Sequence, residues 1–151
     1  MAVEGWIDLG NFAEAAEELH NLPPALKSSE AFCRLWVRIY EATKHWREVE
    51  IMCETLLKHA PHDHFAIRHQ AEAFHQQGRS REAFSAYQYA PTEFKQGADY
   101  FYALGRYLCA IGQPRFAETC IGRAIDCDPS LKLKALEDPE LEKIWLNLHD
   151  D

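Results

Sequence analysis

From Ala98 to Pro129 the apolar positions recur at helical spacing. Phe101, Leu104, Leu108 and Ile111 fall on one face of a segment that runs up to Gly112, and Phe116, Ala117, Cys120, Ile121, Ala124 and Ile125 form the stripe of a second. Gly112 suits the left-handed position that ends a helix. Pro114 suits the first turn of the next helix, where no backbone N–H is missed, and Pro129 stops that helix. The pattern therefore predicts a helix–turn–helix unit.

The unit recurs along the chain. Gly10, Lys44, Gly78 and Gly112 stand 34 residues apart, Ala15, Val49, Ala83 and Ala117 follow with the same step, and so do Leu22, Leu56, Ala90 and Ala124. Full units are expected over 30–63, 64–97 and 98–131, after a partial first unit and linker over 1–29 and before a cap over 132–151. All belong to one domain. Small residues at Ala71, Gly105, Ala83 and Ala117 predict a close crossing of the paired helices, whereas Val37, Val49 and Lys44 predict a wider one in 30–63. Pro91 is expected to shorten the second helix of its unit. At the start, "WIDLGNFAEAAEELHNLPP" reads as the end of one helix, a turn at Gly10 and a complete second helix, preceded by either a divergent cap or a trimmed front half. At the other end Asp138 is the expected N-cap, with Pro139 in the first helical position. Leu141, Ile144, Trp145 and Leu148 are then expected to cover the last unit's apolar face.

With its stretch "LGRYLCAIGQPRFAETCIGRAIDCDP", the 34-residue unit resembles the tetratricopeptide repeat: Phe101, Leu104, Gly105, Leu108, Gly112, Ala117, Ile121, Ala124 and Pro129 fill that family's pattern in order. The order of "LPPALKSSEAF", the helical units and "ALEDPELEKIW" also looks like small stand-alone bacterial proteins of this family whose function is unassigned. The resemblance implies an all-α, right-handed solenoid of antiparallel helix pairs with a concave face lined by first helices. Carried onto this sequence, that face takes in Arg34, Arg38 and Glu41, then Phe65, Arg68, Glu72 and His75, then Asp99, Tyr102 and Arg106. It implies a protein-interaction scaffold holding a peptide segment of a partner, with acidic segments among the candidates. The arginines would offer planar forks to carboxylates, with Phe65 and Tyr102 as apolar anchors. A plainer reading pairs Arg68 with Glu72 and Arg38 with Glu41 as solvated neighbours on one helix. Some members of the family clamp a C-terminal carboxylate. The corresponding positions here are Arg34, Arg38, His69, Asp99 and Ala103, of which only two are basic, and Asp99 would repel the ligand. A second implied function is a small secretion-type chaperone, with Trp6 and Ile7 in a dimerising N-terminal segment.

The net charge of -8, with 16 Lys and Arg spread along the chain, argues against nucleic acid and anionic membrane surfaces as partners. The start "MAVEGWIDLG" carries no signal-peptide pattern, no segment is apolar enough to span a bilayer, and a cytoplasmic protein is expected. The five cysteines include no C-x-x-C, which predicts reduced thiols packed as small hydrophobes. No nucleotide-binding, hydrolase or zinc-protease motif is present, so neither an enzyme nor a cofactor is expected. Four of the eight histidines crowd into "KHAPHDHFAIRH". A metal- or pH-responsive site is the sharper reading of that cluster. The spacing favours a boundary between units, because Pro61 separates His59 from His62 and no i,i+4 pair of histidines exists, while Asp63 is a natural N-cap. Trp36, Tyr40, Trp46, Phe74, Tyr87, Tyr107 and Trp145 are expected to pack in the core or cap.

Overall fold

In a computed structural model describing residues 2–27 and 29–147, the chain is all-α, with no strand among the described residues. Among the described residues ten α-helices follow one another: α1 (Ala2–Asp8), α2 (Phe12–His20), α3 (Glu30–Ala42), α4 (Trp46–His59), α5 (His64–Gln76), α6 (Ser80–Gln88), α7 (Gly97–Ala110), α8 (Pro114–Cys127), α9 (Leu131–Glu137) and α10 (Glu142–Asn147). Short 3₁₀ turns lie at Pro24–Leu26, Thr92–Phe94 and Pro139–Leu141. No helix among the described residues is long and apolar enough to cross a membrane. The chain forms two compact units, Met1–Gln77 and Gly78–Asp151.

The turn column is written into the backbone. Gly10, Lys44, Gly78 and Gly112 have φ of 75°, 61°, 79° and 84°, and the helices that follow them begin at Phe12, Trp46, Ser80 and Pro114. A left-handed residue reverses the chain so that the next residue's N–H reaches back into the last helical turn. Asn11 N donates to Trp6 O at 2.7 Å, His45 N to Tyr40 O at 2.8 Å, and Gln113 N to Leu108 O at 2.9 Å, each a bond closing a helix of the same design. Lys44 is the sole non-glycine with positive φ among the described residues.

In the first unit α1 packs on α2, both on α3, and α3 and α5 each on α4. Val3, Ile7, Ala15, Leu19, Leu35, Trp36 and Ile39 form one buried cluster, and Val37, Val49, Cys53, Leu56, Ala66 and Ala73 another. Ser29 and Asp63 cap α3 and α5, accepting from Phe32 N at 3.1 Å and Ala66 N at 3.0 Å. The buried Glu50 carboxylate is satisfied by Arg47 at 3.3 Å and Gln77 Nε2 at 3.0 Å.

In the second unit α6 ends three residues before Pro91, and α7 packs closely on α8. Gly105 is why that approach is possible: a Cβ there would stand 2.6 Å from Ile121 Cδ1 and 3.3 Å from Ala117 O. Leu141 and Ile144 are buried in the same cluster as Leu108 and Ile121, with Trp145 against it, its indole donating to Ala135 O at 3.1 Å. Asp138 does cap, accepting from Glu140 N at 2.9 Å, but the segment it opens is a 3₁₀ turn running into α10. Leu148 lies outside the described residues.

Candidate functional site

Side chains of the first helices in successive pairs are tied together across the first unit. Arg38 of α3 donates to Asp8 of α1 at 3.0 Å, Arg34 of α3 is bonded to Asp63 ahead of α5, and Glu41 of α3 to His69 of α5. A carboxylate only accepts, so His69 donates from Nδ1. Arg34 also lies 5.6 Å from the centre of the Phe65 ring, where a guanidinium is attracted to the aromatic face. Its Nε is buried without a partner. Asp63 therefore serves two helices: it caps α5 and holds Arg34 of α3.

Beside this row opens a cleft of about 660 Å³, lined by Ile7, Phe12, Arg38, Glu41, Ala42, Lys44, Trp46, Phe65 and His69. Its walls are apolar and aromatic, and its rim carries two cations, one carboxylate and an imidazole. Glu41 is bonded to His69, and Arg38 to Asp8. The Arg38–Asp8 pair is exposed, at 39% and 70% of the two side chains, and pairs of that kind contribute little.

The residues expected on the concave face are not all equivalent. Arg38 and Phe65 reach the cleft, and Arg34 flanks it through Phe65. Arg68 is exposed, Glu72 accepts from Gln76 Nε2 at 2.9 Å, and His75 is half-buried. The Arg38–Glu41 pairing of the plainer reading is replaced by bonds across helices, Arg38 to Asp8 and His69 to Glu41.

In the second unit the chain's own C-terminal segment covers the corresponding residues. Tyr102 is only 6% exposed, donates to Asp138 Oδ2 at 2.7 Å, and has Lys134 Nζ 4.7 Å from its ring centre. Burial and the Asp138 carboxylate push its phenol well above its ordinary value. Arg106 donates to Glu140 at 2.7 Å. Tyr102→Phe is expected to cost about 1 kcal/mol, the worth of one hydrogen bond, read by urea unfolding. An unchanged midpoint would mean the hydroxyl contributes nothing.

Trp6 and Ile7 are occupied within the first unit, Ile7 in the core and Trp6 donating to Glu18 at 2.8 Å. The histidine-rich stretch is a helix junction, α4 ending at His59 and α5 beginning at His64. No group of three or more potential metal ligands occurs among the described residues. All five cysteines are free; Cys53 and Cys109 are buried and Cys33 and Cys120 half-buried, as expected of packed thiols, and Cys127 departs from that expectation by being exposed. Burial, assisted by Glu41 and Asp63, pushes the Cys53 thiol up to about 12, far from a reactive thiolate at neutral pH.

Lys44 and Phe12 were not legible as cleft residues, and Lys44 carried one signal, as the non-glycine in a glycine column, whereas His69 stood at a position that the resemblance assigns to ligand contact. Trp46, expected in the core, is half-buried and lines the cleft. No protein-family model matches the chain, and no curated protein matches it significantly in sequence.

Proposed function

We propose that the helix pairs are tetratricopeptide-type repeats of an α-solenoid and that the chain is an interaction scaffold holding a segment of another protein. The 34-residue recurrence of helix starts and left-handed turns supports the repeat reading. The binding reading rests on one observation: an open cleft walled by Ile7, Phe12, Trp46 and Phe65 with Arg38 and Lys44 on its rim. Apolar concavities with a few polar groups on the rim are where proteins hold ligands and peptide segments. A peptide seated there would bury one apolar side chain among the rings and face its charges to the cations.

The test is affinity capture by the wild-type chain and by Phe65→Ala, with equal thermal stability of the two verified first. Partners retained by the wild type and lost from the variant are the expected result. Identical partner sets would remove the cleft as the binding surface.

A further inference from the structure

Lys44 occupies the one turn in the 34-residue column where glycine is replaced, yet its backbone keeps the left-handed φ of 61° that glycine adopts freely. A residue with a Cβ is strained there, and backbone strain of this kind gathers at sites that hold ligands. Lys44 and Arg38 line the same cleft. A second, independent observation indicates what such a face takes. Arg106, two periods after Arg38, holds Glu140 of the chain's own segment "LEDPEL", whose Leu141 is fully buried and whose Asp138 accepts from Tyr102. The second unit thus seats an acidic segment with a leucine anchor on α7. In the first unit the register-equivalent arginine, Arg38, makes an exposed pairing with Asp8.

Building on the scaffold reading above, we infer that the cleft of the first unit binds an acidic segment bearing an apolar anchor, and that Lys44 is its specificity-determining residue. The anchor sits among Ile7, Phe12, Trp46 and Phe65, and a carboxylate beside it meets the Arg38 guanidinium, displacing Asp8, and the Lys44 ammonium. Charge complementarity selects this occupant: Arg38 and Lys44 line the cleft against the one lining carboxylate, Glu41, and the Arg38 pairing with Asp8 that the segment displaces is exposed. The strained turn is kept because glycine there would remove one of the two cations.

Three short labelled peptides with a central leucine, flanked by aspartate and glutamate, by lysine, or by serine, are titrated against the full chain by fluorescence polarisation. The acid-flanked peptide is expected to bind, and Lys44→Gly to weaken it about fivefold, as for one partly exposed ion pair. The same variant is expected to melt about 2–3 °C higher, since glycine relieves the turn. Loss of affinity from a more stable protein separates the role of the charge from damage to the fold. Equal binding of the serine-flanked peptide, or acidic binding indifferent to Lys44→Gly, overturns the inference and leaves a peptide-binding scaffold standing. Binding of none of the three also overturns it. The scaffold reading itself then stands or falls on whether wild type and Phe65→Ala capture the same partners.

Discussion

Asp63→Ala is expected to destabilise the chain by about 2–3 kcal/mol, read as a lower urea midpoint. Two losses combine. The α5 N-cap, in which the carboxylate accepts from Ala66 N at 3.0 Å, contributes about 1 kcal/mol. Arg34, whose Nε is already buried without a partner, would also lose the carboxylate that binds its other end. Asp63→Asn divides the two contributions. Asparagine caps as well as aspartate, so only the charge is lost and the expected cost falls to about 1 kcal/mol. Equal costs for the two variants would mean that the cap contributes nothing.

Gly105→Val is expected to cost about 2–3 kcal/mol through overpacking. Its Cβ would stand 2.6 Å from Ile121 Cδ1 and 2.8 Å from Cγ1, and Ala117 O at 3.3 Å belongs to backbone that cannot rotate away. The gain in helix propensity on leaving glycine, under 1 kcal/mol, does not offset that collision. Adding Ile121→Val, which deletes the Cδ1 atom, should recover part of the loss. Gly122→Ala provides the opposite control, since a Cβ on that exposed α8 glycine meets nothing within 4 Å and the variant should gain roughly 0.5–1 kcal/mol. A stabilising Gly105→Val would mean that α7 and α8 are not in close contact at this point.

The fold was legible where local chemistry decides it. Pro114, Gly112 and Asp63 each mark a boundary by what their backbone or side chain does within a few residues, and each stands at the end it indicated. Apolar spacing identified the helices for the same reason. The candidate site was less legible because its arrangement depends on distant partners. Arg38 pairs with Asp8, 30 residues away, and Glu41 with His69, 28 away. Nothing in the spacing of charges on one helix distinguishes those pairings from Arg38 with Glu41, since i,i+3 and cross-helix pairs are close in energy. The resemblance put Tyr102 on the groove, and the folding back of "LEDPEL" decided its burial. Lys44 was visible as an exception in a column, but its meaning came only with its φ and its place at the cleft.

The most direct test of the account is a map of amide shift changes in the isotopically labelled chain on titration with the acid-flanked leucine peptide. Changes concentrated at Arg38, Lys44, Trp46, Phe65 and His69, and absent from the Phe65→Ala variant, are expected. Changes centred elsewhere, or none at saturating peptide, would contradict it.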